Sequence, residues 1–203
     1  MMDAVRRNGH ALNYASEELR GDRALVSAAI TQNAHALRYA SEKLRTDRDV
    51  VVAAVRRSWQ ALQYAPPELA DDDNIVLEAV QQNGAALQFA SDRLRGKRDI
   101  VLIAVSSEWE NLKYAAPEMR GDRQVVLRAI ATGDKKSALH ETVGNEKVIV
   151  KGIGCVLEYA TEELRGDHVV VAAGVAQNWR ALKIASPELQ GDRAIVLSAV
   201  GQN

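Results

Sequence analysis

One leucine recurs along this chain at a fixed interval. It stands in Leu-x-Tyr-Ala, or a close variant, at Leu12, Leu37, Leu62, Leu87, Leu112, Leu157 and Leu182. The interval is 25 residues everywhere except for one gap of 45. A period of this length marks a chain built by stacking one small unit. The long gap reads as one regular unit plus one shortened by five residues, with the degenerate copy at about 133–156. The expected organisation is a single repeat array over 1–203, seven clear units and one degenerate.

Aligned copies separate into columns. Two residues after the key leucine stand Tyr14, Tyr39, Tyr64, Phe89, Tyr114, Tyr159 and Ile184, followed by an alanine in every clear copy. A second leucine column follows, as Leu19, Leu44, Leu69, Leu94, Met119, Leu164 and Leu189. Paired aliphatics such as Val50-Val51 and Ile100-Val101 precede a column that is always small, from Ala29 to Ala199 with Gly174 among them. Apolar residues at i, i+1, i+4 and i+5 form one face of an α-helix. Asp22, Asp47, Asp72, Asp122, Asp167 and Asp192 precede these helices, where a carboxylate accepts from the first turn. Asn83-Gly84 suits a left-handed stop after one of them. Pro67, Pro117 and Pro187 open a separate turn, at a position where the missing N–H costs nothing. Each unit therefore reads as a short helix, a single-turn helix and a longer helix. The small column marks a close helix approach.

A unit with about five buried aliphatic side chains cannot offset the entropy of ordering its own backbone. Stacked copies share a continuous core, which is the logic of a solenoid. The expected fold is an all-α, superhelical solenoid.

Charge narrows the function. Lys plus Arg number 26 and Asp plus Glu 27, which argues against general polyanion binding. No apolar run is long enough to span a bilayer, and the first residues show no secretory signal. The expectation is a soluble, intracellular protein of the cytoplasm. Cys155 is the single cysteine, so neither an internal disulfide nor a cysteine metal cluster is available. His10, His35, His140 and His168 follow no ligand spacing. Asp71-Asp72-Asp73-Asn74 lacks the glycine and distal glutamate of a calcium loop and overlies the cap column. Gly133-Asp134-Lys135-Lys136-Ser137 lacks the glycine of a phosphate loop. No catalytic, metal or cofactor site is expected.

Three features invite a partner. Trp59, Trp109 and Trp179 share one column, as caps over the groove between units or as an anchor row. Directly after the key leucine the residue varies, with Arg38, Gln63, Gln88 and Lys113 among its members. Arg20, Arg45, Arg95, Arg120 and Arg165, beside Arg23, Arg48, Arg98, Arg123 and Arg193, form columns that either track phosphates or pair between units.

The string Leu12-Asn-Tyr-Ala-Ser-Glu-Glu-Leu19-Arg-Gly-Asp-Arg23, continued by a small aliphatic run and Gln32-Asn33, resembles the repeat called domain of unknown function 4116. That resemblance implies a helical-repeat protein and no assigned activity. The leading expectation is a non-enzymatic scaffold that binds a protein partner or joins a larger assembly. End-to-end self-association is a further expectation, because neither end carries a polar capping unit. The alternative is a nucleic-acid-binding repeat using the stacked arginines.

Overall fold

The computed structural model describes residues 1–136, 141–143, 146–148 and 155–201. They divide into two compact bodies, Met1–Arg95 and Gly96–Asn203. Each is a run of the same helical repeat.

In the first body, six-residue 3₁₀ helices span Gly9–Tyr14, Ala34–Tyr39, Trp59–Tyr64 and Gly84–Phe89. Single-turn α-helices follow at Glu17–Arg20, Glu42–Arg45, Pro67–Ala70 and Asp92–Arg95. Ten-residue helices complete the pattern at Arg23–Gln32, Arg48–Arg57 and Asp73–Gln82. The three segments come in the order read from the sequence, and the short one is 3₁₀ rather than α. An opening helix, Met2–Arg7, packs on Arg23–Gln32 and buries Val5, which shares a column with Ile30. It takes the place that a long helix holds in later repeats.

The second body holds long helices at Arg98–Ser107, Arg123–Lys136, His168–Gln177 and Arg193–Val200. Between them lie 3₁₀ helices at Trp109–Tyr114, Val156–Glu158 and Trp179–Lys183, and single turns at Pro117–Arg120, Glu162–Arg165 and Pro187–Gln190.

Within each body, long helices pack on long helices and 3₁₀ helices on 3₁₀ helices. The key leucines Leu12, Leu37, Leu62, Leu87, Leu112 and Leu157 are buried between these layers. The small column is small for a local reason. A Cβ added at Gly174 would meet the Leu157 side chain at 3.4 Å and Ala181 Cβ at 3.5 Å. A larger side chain would displace the key leucine.

The aspartate caps form as expected. The carboxylate of Asp72 accepts from the backbone N–H groups of Asn74 and Ile75 at 2.9 and 3.1 Å. Long helix Arg98–Ser107 differs: Lys97 precedes it and gives no side-chain cap. The asparagines need correction. Asn83 is extended, at φ −158° and ψ 121°, not left-handed. Its side chain accepts from Ala85 N, so it opens the next 3₁₀ helix instead of stopping the previous helix. Asn8, Asn33 and Asn178 do the same.

The degenerate unit expected at about 133–156 falls largely outside the described residues. Trp109 lies over Tyr159, and Thr161 N donates to Arg120 O at 3.3 Å. The repeats keyed on Leu112 and Leu157 are thus in direct contact. The helix from Arg123 runs on to Lys136, and residues Glu141–Val143 pair antiparallel with Glu146–Val148. Thr142, Val143 and Val148 are β-branched, which suits strands. The rest of the expected unit, at 137–140, 144–145 and 149–154, lies outside the described residues.

Candidate interaction surface

The residue two before and the residue one after each key leucine are three apart. A 3₁₀ helix has three residues per turn, so both fall on one line along its surface. In the first body these lines carry His10 and Asn13, His35 and Arg38, Gln60 and Gln63, and Ala85 and Gln88.

Arg38, Gln63, Gln88 and Lys113 are all exposed. The Arg38 guanidinium lies 4.8 Å from the Tyr39 ring centroid, and Lys113 Nζ lies 4.9 Å from that of Tyr114. Partial desolvation pulls the Lys113 pKa down, but the Tyr114 phenol outweighs it and leaves it raised. Gln63 Nε2 donates to Gln60 O at 2.9 Å, and Gln88 Nε2 to Ala85 O at 3.0 Å. Each of these side chains is thereby laid along its own 3₁₀ helix.

The tryptophans point across repeats. Trp59 stacks on Phe89 with centroids 6.1 Å apart, and Trp109 lies 6.0 Å from Tyr159. Trp109 is buried, while Trp59 and Trp179 are half-buried. Arg180 and Lys183 sit over the Trp179 ring at 5.0 and 5.6 Å. Where tryptophan is missing, a histidine one position later does similar work. His10 meets Tyr39 and His35 meets Tyr64 edge to face, at 6.0 and 5.8 Å. Tyr39, Tyr64, Phe89 and Tyr159 of the aromatic column therefore each receive a ring from the preceding repeat. Sequence comparison treated the donor rings as two separate columns and missed this relation. The complementary absence, His with Gly9 or Ala34 and Trp with Gln60 or Glu110, was the available signal.

Several members of both arginine columns have partners in the protein, whereas the Nε groups of Arg45, Arg95 and Arg120 are buried without a hydrogen-bond partner. Arg165 donates from Nε to Leu157 O and from Nη2 to Glu158 O, each at 3.0 Å. Arg20 does the same with Ala15 O and Asn13 O at 3.1 and 2.8 Å. These guanidiniums close the carbonyl end of their own 3₁₀ helix, as the Gln190 amide does with Lys183 O and Ala185 O. The second column pairs with the cap aspartate of the next repeat. Arg23 meets Asp47, Arg48 meets Asp72 at 3.2 Å, Arg98 meets Asp122 at 3.0 Å and Arg123 meets Asp167 at 3.0 Å. His168 takes this place against Asp192 at 3.8 Å.

The other chemical candidates are placed singly. Cys155 is buried, which pushes its thiol pKa up. Asp71 and Asp73 both bind Arg93, at 2.9 Å each. Among the described residues no group of three or more His, Cys, Asp or Glu is placed to hold a metal ion. Among them, too, no helix is long and apolar enough to cross a membrane. His140 lies outside the described residues.

The family model described as domain of unknown function (DUF4116) matches residues 1–45, 22–70, 47–95, 72–120 and 97–133. Each of the first four matches spans two key leucines. Comparison with curated proteins and with solved structures gives no match.

Proposed function

The chain belongs to the DUF4116 family of helical repeats, and we propose that it acts as a non-catalytic scaffold that binds protein partners, within a larger assembly. One observation carries this reading. The key leucines from Leu12 to Leu157 and the small column are buried, while the residue after the key leucine varies along the chain as Asn13, Arg38, Gln63, Gln88 and Lys113 and is exposed on the 3₁₀ layer. A stack that keeps its core and varies one exposed column is built to present several different groups along its length.

The nucleic-acid alternative rests on arginine ladders free to meet phosphates. Arg20 and Arg165 are turned onto backbone carbonyls, and Arg23, Arg48, Arg98 and Arg123 onto aspartates. These pairings favour the protein-binding reading.

The test is affinity capture from the native source with the full chain and with a variant carrying Arg38→Ala, Gln63→Ala, Gln88→Ala and Lys113→Ala. A partner retained by the parent and lost by the variant is the expected result. Equal capture by both removes this surface from the function. Tight, salt-dependent binding of single-stranded RNA would favour the alternative. Sedimentation of the isolated chain separates a second copy from a different protein as the partner.

A further inference from the structure

Within each body, neighbouring repeats join through recurring contacts. A backbone N–H at the start of a single-turn helix donates to the repeat before it: Ser41 to Arg20 O at 2.9 Å, Ser91 to Ala70 O at 3.0 Å and Ser186 to Arg165 O at 2.9 Å. The arginine opening one long helix meets the cap aspartate of the next, as Arg48 meets Asp72 at 3.2 Å. The aliphatic residue after the small column, such as Val55, Val80 or Val175, is buried.

Two surfaces carry open, opposite halves of that junction. On the last long helix, Arg193–Val200, Leu197 is 59% and Val200 64% exposed. Among the described residues, Arg193 meets no carboxylate and Gln190 O receives no N–H from another repeat. On the first repeat, Tyr14 is 84% exposed. Among the described residues, Asp22 meets no arginine and Ser16 N donates to no carbonyl. One surface thus offers a donor, a carboxylate and a ring, and the other an acceptor, a guanidinium and an aliphatic patch.

The halves are in register. A repeat set one 25-residue interval beyond Leu182 would place its cap aspartate to meet Arg193 and its single-turn N–H to meet Gln190 O. Asp22 and Ser16 hold those two places relative to Leu12. In the same register Val200 falls on the place of Val5. Opening helix Met2–Arg7 fills that place with six residues, one buried side chain and no side-chain cap. Helix Arg193–Val200 is the fuller form, with eight residues, a cap from Asp192 and the arginine that Asp22 lacks.

We infer that the chain binds a second copy of itself head to tail, with Arg193–Val200 of one copy taking the place of Met2–Arg7 on the first repeat of the next. The junction formed is the one already present between repeats, with Arg193 on Asp22 and Ser16 N on Gln190 O. The contact is heterologous, so each copy leaves one half open and association continues into longer chains. This goes beyond the protein-binding reading above: it supplies a larger assembly and does not use the 3₁₀ column.

The test is sedimentation equilibrium of the full chain from micromolar to millimolar concentration. The average mass is expected to rise steadily past that of a dimer. Val200→Glu puts a charge on the docking helix at an exposed position. That variant is expected to keep its circular dichroism and to stay monomeric throughout. Asp22→Asn keeps the helix cap and removes the charge, so association should weaken about threefold. Deleting residues 2–7 frees the receiving site and should strengthen association. A monomer at every concentration overturns the inference. So does association that Val200→Glu abolishes while both other variants leave it unchanged, because two copies then meet tail to tail. If the chain is monomeric while capture still returns a partner that the four-site variant loses, the scaffold reading stands and this one falls. If the chain assembles as expected while the four-site variant captures as well as the parent, this one stands and the 3₁₀ surface falls.

Discussion

Arg123 pairs with Asp167 at 3.0 Å across a sequence separation of 44. Arg48 makes the same contact with Asp72 across a separation of 24. The repeats on either side of the long gap therefore meet through the ordinary junction. Gln177 reinforces it by donating to Ile130 O, as Gln82 does to Val55 O at 2.7 Å.

Removal of residues 133–152 would restore the 25-residue interval, and Ile153→Asn would supply the missing 3₁₀ cap. We expect this shortened chain to fold with its helical circular dichroism and cooperative melting intact. Loss of cooperative melting would show that the inserted stretch is needed to join the two repeats.

Gly174 stands inside a long helix in a column otherwise filled by alanine. A Cβ there makes contacts of ordinary length with Leu157 and Ala181. Gly174→Ala is expected to stabilise the protein by about 0.5–1 kcal/mol, because alanine loses less backbone entropy in a helix. A lower urea midpoint would mean that the neighbouring leucine has no room to yield.

Arg165 satisfies two carbonyls at the end of a 3₁₀ helix. Arg165→Ala should cost about 1–3 kcal/mol by leaving those acceptors without their donor. Arg165→Gln should cost less, since Gln190 performs this role in the last repeat. Equal losses in urea unfolding would indicate that side-chain packing, not the hydrogen bonds, is what the position supplies.

The cap carboxylates predict an acid limit. Burial raises the pKa of Asp47 and of Asp72, but Arg23, Arg48 and the first-turn N–H groups outweigh it and hold both below the ordinary value of 3.8. Bonds from Val170 N and Arg123 lower Asp167 in the same way against its burial. A carboxyl whose folded pKa is depressed contributes stability that is present above the unfolded pKa and lost as pH falls through the folded one. Urea midpoints should be flat from neutral pH to about 5, then drop below about 4. At neutral pH, Asp72→Ala should cost about 0.5–2 kcal/mol through its cap. The variant should also show a shallower acid decline, and an unchanged acid profile would remove Asp72 from that account.

Much of this was legible in the chain. The 25-residue interval, the Asp caps and the apolar columns led to the three helical segments, because each depends on contacts within a few residues or on a periodic face. The exposed column of Arg38, Gln63, Gln88 and Lys113 was legible too, since a stack varies what it does not bury. The reading failed at Asn83, where the side chain chose the following N–H over a left-handed turn.

The sequence by itself determined the repeat, its secondary structure and its buried faces, because those follow from local periodicity and propensity. Only the tertiary structure decided which repeats touch, that His10 and Trp59 act alike on the next ring, and that Arg165 and Arg123 answer to carbonyls and to Asp167. Those relations depend on distances between side chains far apart in the chain, which column alignment does not contain.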